Sequence, residues 1–332
     1  MMMKKFINDP DNLVNEVLNG FALANADKVK LAGNNMVVRV NPKSEDKVAL
    51  VTLGGSGHEP ALSGYVGEGM LDISVPGEIF AAPGPPRVLE ALRMANRPAG
   101  VLLVVLNHAG DIMSANMAMQ MAEKEGINVK QILTSEDIST GPRDKPEERR
   151  GLIGCLAVIK AAGAAAEQGR SLDECWEVAH RLERNMATLA VAVAPATHPC
   201  TGDAISEIPE GDMIIGMGQH GESGSGQMKI KTARETAEIM LDALVEDLSV
   251  KAGEDVLVMI NGVGSTTLME QYVILNSCKE ILDQKKINLA RSVAGEFLTV
   301  QEMGGFQMFL ARLDSELTEL WDAPCKCPCL AI

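Results

Sequence analysis

The stretch GVLLVVLNHAGD, residues 100–111, decides the fold. The unbroken apolar run over residues 100–106 is typical of a strand buried on both faces of a parallel sheet. A helical pattern follows over residues 112–125, and a further strand pattern follows over residues 128–134. Strand, loop, helix and strand in this order predict parallel strands joined by right-handed crossovers.

The same alternation continues on both sides of this stretch. Residues 47–53 predict a strand that ends in a glycine cluster, and Ser171 with Glu174 predicts a capping box at the start of a helix. The pattern further predicts helices over residues 13–23, 151–168, 172–186, 232–248 and 267–284, and strands over residues 190–194, 212–217, 255–260, 289–295 and 306–313.

The length of 332 residues favours two domains. We predict an α/β protein with two α/β domains, and we place the boundary within residues 185–205, where Pro and Gly accumulate. Residues 1–190 are expected to form the first domain, a three-layer arrangement around a largely parallel sheet. Residues 191–332 are expected to form a smaller α/β or α+β domain.

The composition argues against several classes of partner. A net charge of −15, with no block of Lys and Arg, disfavours binding to nucleic acid or to an anionic membrane surface. The N-terminal sequence has no apolar run of the kind found in signal peptides. Seven Cys, an odd number spread through a long chain, suit a reducing compartment better than a disulfide framework. The expected location is therefore the cytoplasm.

Three ionisable side chains follow predicted strands and are flanked by glycine. His58 and Asp111 come after glycines, and His220 comes before one. In open α/β sheets ligands bind at the carboxyl ends of the strands, and glycine lets the backbone approach them closely. A neutral imidazole acts as a general base or as a nucleophile toward a carbonyl, and a carboxylate accepts the proton of a hydroxyl. The pattern favours an enzyme that acts on a polyol or keto-sugar.

The usual phosphate and metal motifs are not matched. A dinucleotide fingerprint beginning at Gly55 has Pro60 where its third Gly or Ala belongs, which disfavours a dinucleotide-dependent oxidoreductase. No Gly-Lys-Ser/Thr completes a Walker A loop. The thiols of Cys325, Cys327 and Cys329 are spaced too closely for a structural zinc site, so we expect incidental thiols in a segment that packs on its domain. The chain itself is expected to bind neither a metal nor a nucleotide.

At these same residues the chain resembles the K (substrate-binding) subunit of dihydroxyacetone kinases. The likeness runs nearly end to end. The segments that carry it are GGSGHEP at 54–60, GYVGEGML at 64–71, PGEIF at 76–80, GD at 110–111, RRG at 149–151, GAAAE at 163–167, GQHGE at 218–222, NGVG at 261–264 and WDAP at 321–324.

The resemblance implies a mechanism. The family histidine that matches His220 adds to the ketone carbon and holds the substrate as a covalent hemiaminal. The residue that matches Asp111 is the expected general base toward the terminal hydroxyl, and the one that matches His58 assists as acid or base. Backbone groups around Gly54 and Gly55 line the pocket. Covalent capture selects ketones and aldehydes over polyols such as glycerol, which have no electrophilic carbon.

The resemblance also implies partners. One branch of the family carries an ATP-binding helical domain in the same chain, whereas here a separate L-type subunit is expected to carry ADP or ATP with Mg²⁺. The phosphoryl donor is either ATP or a phosphotransferase-system M-type subunit that recharges the bound nucleotide. A homodimer is also implied.

Three positions depart from the pattern of the dihydroxyacetone-specific members. Leu106 stands where those members have a Lys, and Ala82 stands where they have a Ser that contacts the substrate. Ser223 replaces the Pro of a Gly-Glu-Pro-Gly segment. Loss of an ammonium and a hydroxyl removes polar contacts to a three-carbon ligand. We therefore hypothesise a different short-chain ketose, such as the tetrulose erythrulose, beside dihydroxyacetone.

A second function stays open. A K-like paralogue that binds ketose and controls a transcription regulator would need His220 but would not need Asp111 or His58. Because both of these residues are present, the sequence favours the enzyme.

Overall fold

The computed structural model describes residues 5–222, 224 and 226–332. Ser223, named above as a departure, and residues 1–4 lie outside the described residues. The elements in chain order are α1 (Leu13–Ala24), β1 (Val29–Ala32), β2 (Met36–Arg39), β3 (Ala49–Ser56), β4 (Ile73–Ile79), α2 (Pro85–Ala95), β5 (Val101–Leu106), α3 (Ala109–Lys124), β6 (Val129–Thr134), α4 (Gly154–Glu167), α5 (Leu172–Arg184), β7 (Met186–Ala194), β8 (Asp212–Ile215), β9 (Gly226–Lys229), α6 (Ala233–Leu248), β10 (Asp255–Gly262), α7 (Leu268–Gln284), β11 (Asn288–Gly295), β12 (Gly304–Leu313) and α8 (Ser315–Asp322). Short 3₁₀ turns lie at Pro10–Asn12, Ser63–Tyr65 and Pro146–Glu148. Of the helices described in this way, none is both long and apolar enough to span a bilayer.

The first sheet has six strands in the order β1-β2-β4-β3-β5-β6. Strands β4, β3, β5 and β6 are parallel, and β2 and β1 extend the sheet with antiparallel pairs. Every residue of β5 is buried, as the apolar run predicted. Helices α2 and α3 pack on one face of this sheet, and Trp176 of α5 donates its indole N–H to the carbonyl of Gln131 in β6 at 2.8 Å. The prediction of a largely parallel sheet in the first half of the chain is confirmed.

The second sheet also has six strands, in the order β11-β10-β12-β7-β8-β9. Its β10–β11 pair is parallel. The other four pairs, β10–β12, β12–β7, β7–β8 and β8–β9, are antiparallel. Helices α6 and α7 bury aliphatic and Met side chains against it. Both helices begin at a capping box, formed by Thr232 with Glu235 and by Thr267 with Glu270. A mixed sheet with packed helices agrees with the predicted class.

The chain divides into two compact units that are discontinuous in sequence. The first unit comprises Met1–Thr134, Cys155–Arg181 and Leu317–Ile332, and the second comprises Ser135–Gly154 and Leu182–Glu316. The predicted single boundary between residues 190 and 191 is therefore corrected. Strand β7 begins at Met186 and pairs with β12 and β8 in the second sheet. Residues 317–332 return to the first unit, where Glu68 and Lys326 exchange backbone hydrogen bonds of 3.1 and 2.9 Å.

Candidate active site

The carboxyl ends of β4, β3 and β5 are adjacent because these strands are parallel neighbours in the first sheet. His58 follows β3 after a single glycine, and Asp111 lies in the first turn of α3, directly after β5. Both residues are buried, with exposed fractions of 6% and 9%. The structure thus brings these two predicted site residues to the same edge of one sheet.

Glycine at the end of β3 permits a close approach by the segment after β4. A Cβ at Gly55 would lie 2.8 Å from the backbone nitrogen of Ala81 and 3.1 Å from the carbonyl carbon of Phe80. A Cβ at Gly54 would lie 2.7 Å from a leucine side chain. The Phe80 ring stands 5.0 Å from the His58 ring, centroid to centroid, at an angle of 45°. Gly55 therefore lets the segment after β4 cover the end of β3, and Phe80 of that segment lies against His58.

Asp111 lies near Ala82 and Leu106, the two positions of the first unit that depart from the dihydroxyacetone-specific pattern. It is in the first turn of α3, where the helix dipole favours a negative charge. A Cβ at the preceding Gly110 would lie 3.4 Å from the Cβ of Ala82, and Ser114 of the same helix donates a hydrogen bond to the carbonyl of the residue after Ala82. Leu106 is the last residue of β5 and is 4% exposed. Ala82 and Leu106 therefore flank the turn that carries Asp111.

His220 belongs to the second unit and lies in the loop between β8 and β9. Its Nδ1 atom lies 3.2 Å from Oε1 of Glu222, and its backbone N–H donates to Oε2 of the same carboxylate at 2.9 Å. Partial burial alone would raise the pKa of Glu222, but the hydrogen bonds and charge of His220 outweigh burial and hold that pKa well below its usual range. An ionised Glu222 accepts the Nδ1 proton, which favours the His220 tautomer whose lone pair is on Nε2.

Arg150 positions Glu222, and sequence reasoning gave it no role of its own. Its guanidinium donates to Oδ2 of Asp137 at 2.8 Å and to the carbonyl of Gly216 at 2.7 Å, and its Nη1 atom lies 3.8 Å from Oε2 of Glu222. A Cβ at Gly218 would collide with both the Glu222 carboxylate and the Arg150 guanidinium. The RRG string at 149–151 was a signal for this residue, but its contact with Glu222 is not local in sequence.

Among the cavities lined by described residues, two that lie within single units do not suit a ketose. The first, of about 20 Å³ beside Gly54, Gly55 and Glu59, has room for about one water molecule. The second, of about 280 Å³ in the second unit, is lined mainly by apolar side chains such as Val191 and Met269. Such a lining does not match a ligand that carries a hydroxyl on nearly every carbon.

The model of one protein family, the Dak1 domain, matches residues 19–329 of this chain. The chain belongs to the Dak1 family. This Dak1 chain is 37% identical over 314 residues to subunit DhaK of the PTS-dependent dihydroxyacetone kinase 1 of Listeria innocua, which is named as its dihydroxyacetone-binding subunit, and the match covers 95% of each chain. It is 34% identical over 330 residues to an L-erythrulose kinase of Pectobacterium atrosepticum, with 98% of this chain and 56% of that protein covered.

The Dak1 fold is also seen in a solved structure. The dihydroxyacetone kinase operon co-activator DhaQ superposes with a TM-score of 0.89 at 30% sequence identity, and the match covers 95% of this chain and 97% of that one. The family resemblance drawn from the sequence is thereby confirmed. The roles given to His220, Asp111 and His58 within the Dak1 chain stay predictions.

Proposed function

We propose that this Dak1 chain is the substrate-binding subunit of a ketose kinase, which binds a short-chain ketose covalently for phosphorylation by a nucleotide-carrying partner. The observation that carries the proposal is the likeness to the Listeria DhaK subunit, which covers 95% of both chains. The arrangement of His220 with Glu222 supports it, because it supplies a nucleophile of defined tautomer.

The covalent step follows from that tautomer. The Nε2 lone pair of His220 adds to the ketone carbon, a C–N bond forms, and the electron pair of the carbonyl bond moves to oxygen. The oxygen takes up a proton from solvent and becomes a hydroxyl, while the imidazolium releases its Nδ1 proton to solvent, so one proton is gained and one is lost. The product is a hemiaminal, and no atom is lost overall. An anionic Glu222 favours this addition because it stabilises the positive charge that the imidazole carries during it.

Phosphoryl transfer needs a base at the substrate hydroxyl, and Asp111 is proposed for that role. Its position in the first turn of α3 favours the carboxylate form that accepts a proton. His58, held against Phe80 at the neighbouring strand end, is proposed to assist as acid or base. Gly54 and Gly55 contribute backbone groups to the pocket.

The ketose is proposed to be a tetrulose such as erythrulose, with dihydroxyacetone as the second candidate. Leu106 and Ala82 replace a Lys and a Ser of the dihydroxyacetone-specific pattern beside the Asp111 turn. The 34% identity to an L-erythrulose kinase supports the larger substrate. Without these two polar contacts, the pocket has more room and less polarity than a three-carbon substrate requires.

The phosphoryl group is proposed to come from an L-type subunit that carries ADP or ATP with Mg²⁺. An M-type subunit of the phosphotransferase system recharges that nucleotide if it stays bound, as the PTS dependence in the name of the Listeria relative suggests.

We place the protein in the cytoplasm as a homodimer. All seven of its cysteines are free thiols, which supports a reducing compartment.

A co-activator is the second candidate, favoured by the likeness to DhaQ. A protein of that kind would bind ketose and regulate transcription without transferring phosphate. The presence of Asp111 and His58 at adjacent strand ends supports the kinase instead, because binding alone requires neither residue.

The proposal is tested by intact-mass spectrometry of the protein after incubation with erythrulose, dihydroxyacetone or glycerol. We expect one adduct per chain with each ketose and none with glycerol. His220→Ala should abolish the adduct, whereas His198→Ala, a histidine elsewhere in the second unit, should retain it. An adduct that survives in His220→Ala would overturn the covalent role, and ketose binding without any adduct would do the same.

A further inference from the structure

The segment Cys325–Cys329 holds a cluster of thiols in the first unit that the ketose site does not use. Cys325 and Cys327 are buried, and the sulfur atoms of Cys327 and Cys329 lie 3.7 Å apart. Tyr65, which is fully buried, hydrogen bonds with the thiol of Cys155 and lies within electrostatic range of Cys327 and Cys329. The cluster therefore joins the Cys-rich segment to the loop that carries Tyr65.

The two neighbouring thiols differ in acidity. A hydrogen bond from Cys329, together with backbone hydrogen bonds, lowers the pKa of Cys327. Burial raises the pKa of Cys329 well above its usual value. The ammonium groups of Lys28 and Lys160 act on this cluster, and Lys160 is fixed there by bonds of 2.7 and 2.8 Å to the carbonyls of residues 320 and 323. Cys327 is thus the more acidic of the two thiols in contact, and the more acidic thiol has the larger thiolate fraction at a given pH.

We infer that Cys327 and Cys329 form a reversible redox site that reacts with hydroperoxides, with Cys327 as the attacking residue and Cys329 as the resolving residue. The Cys327 thiolate attacks one peroxide oxygen, the O–O bond breaks, and the leaving oxygen takes up a proton to give water or an alcohol. Cys327 is then a sulfenic acid. The Cys329 sulfur displaces its hydroxyl as water and forms the S–S bond. Two thiols lose two electrons, and the peroxide gains them.

The geometry suits this reaction. A disulfide needs the two sulfur atoms at about 2.0 Å, which is a short movement from their present separation because the residues are only two apart in sequence. A ring that closes over the three residues Cys327, Pro328 and Cys329 is small, and strained disulfides are the labile, readily reduced ones. The pair is therefore suited to switching rather than to permanent cross-linking.

Oxidation of Cys327 and Cys329 should change the conformation of the loop that carries His58. The Cys329 N–H donates to the Gly64 carbonyl at 3.2 Å, and the Gly64 N–H donates to the Pro60 carbonyl at 2.6 Å. The next hydrogen bond in this series joins the N–H of Ala61 to the carbonyl of His58 at 3.1 Å. A Cβ at Gly67 would collide with the backbone of Lys326 and Cys327, so the two segments touch without intervening side chains. Movement of Cys329 is thus transmitted by direct backbone contacts.

The test treats the full-length protein with hydrogen peroxide and maps its cysteines by mass spectrometry. The tryptic peptide that begins at Cys327 should lose the mass of two hydrogen atoms, and dithiothreitol should restore it. In Cys329→Ser, Cys327 should accumulate as a sulfenic acid that dimedone traps. In Cys327→Ser, Cys329 should stay reduced. Each variant is checked for an unchanged thermal unfolding midpoint, and Ala331→Ser serves as a control in the same segment.

The other thiols of the chain provide internal controls. Burial raises the pKa of Cys278 to about 12 and that of Cys175 to about 11, so Cys327 should react at least roughly tenfold faster than either. Cys200 is partly exposed and serves as the exposed reference thiol. Faster oxidation of Cys200 than of Cys327, or dimedone labelling of Cys329 in place of Cys327, would overturn the inference.

Hydrogen exchange tests the connection to the loop. We expect faster exchange of the amides in residues 61–68 after oxidation and recovery after reduction. Unchanged exchange would show that the dithiol does not act on the His58 loop. None of these measurements depends on ketose binding, so their failure would leave the proposed function untouched.

Discussion

The Nδ1 atom of His220 lies 3.2 Å from Oε1 of Glu222, two residues further along the chain. The same carboxylate accepts the backbone N–H of His220, so one side chain fixes both the ring and the loop. The Nη1 atom of Arg150 lies 3.8 Å from Oε2 of Glu222, and Arg150 itself donates to Asp137. These contacts thus favour one tautomer and one orientation of the imidazole.

Glu222→Gln should slow formation of the ketose adduct on the order of 10²-fold, because a neutral amide does not stabilise the positive charge that develops on His220. The rate is measured by acid quench and intact-mass spectrometry. Glu207→Gln, which removes an exposed carboxylate in the same unit, should leave the rate unchanged. An unaltered rate in Glu222→Gln would mean that this carboxylate serves the loop and not the addition.

Asp111→Asn should leave adduct formation nearly unchanged and reduce phosphorylation by about 10²–10⁴-fold, because an amide cannot accept the hydroxyl proton. Both quantities are measured on one preparation, by mass spectrometry and by ketose-phosphate formation with an L-type subunit. Glu123→Gln removes an exposed carboxylate from the same helix and provides the matched control. Full turnover by Asp111→Asn would contradict the role of base, and full turnover by wild type would exclude the co-activator.

Ala82→Ser should shift the ratio of kcat/KM toward dihydroxyacetone and away from erythrulose. A hydroxyl that hydrogen bonds to substrate contributes about 0.5–1.5 kcal/mol, which corresponds to roughly a two- to tenfold change in the ratio. Ala81→Ser, at the exposed neighbouring position, should leave the ratio as it is. A wild-type protein that turns over dihydroxyacetone as well as or better than tetruloses would contradict the proposed substrate.

Glu136 should make stability depend on pH. Burial raises the pKa of this carboxyl from its ordinary 4.5 to about 8, although it accepts hydrogen bonds of 2.8 and 2.7 Å from the N–H groups of Leu152 and Gly154. Between those two values the folded state binds more protons than the unfolded state. The free energy of unfolding should therefore fall by a few kcal/mol as the pH rises from 4.5 to 8, and then level off.

Urea unfolding at pH 5, 7 and 9 checks this expectation. Glu136→Gln stays neutral and keeps an acceptor for both N–H groups, so the decline with pH should shrink in this variant. Glu210→Gln, at an exposed position of the same unit, should retain the wild-type decline. Identical pH dependence in Glu136→Gln and wild type would show that Glu136 is ionised in the folded protein.

The fold was predictable where one kind of residue dominates a segment. Strand β5 is apolar at every position, and helices α5, α6 and α7 begin at capping boxes that can be read from the sequence. Strand β4 was missed because Pro76 and Gly77 interrupt its pattern. Its neighbour β3 accommodates them with an irregular register between Gly54 and Ser56. Elements set by pairing partners rather than by their own residues were not predictable.

The site shows the same division. His58 and Asp111 were identified because each follows a recognisable strand next to glycine, and adjacent parallel strands bring their carboxyl ends together. The contact of Arg150 with Glu222 spans 72 residues of chain and has no local pattern. Helix α4 begins at Gly154 rather than at the predicted residue 151, and Glu136, far earlier in the chain, accepts the N–H groups of Leu152 and Gly154 at this start.

The discontinuous path of the chain has a consequence for limited proteolysis. The chain passes from one unit to the other after residues 134, 154, 181 and 316. A single cut in the connection between β7 and β8 therefore yields two fragments that each hold strands or helices of both units. Such fragments should co-elute as one particle and separate only in denaturant. Because each unit is built from separate segments of the chain, no single cleavage can release either unit intact.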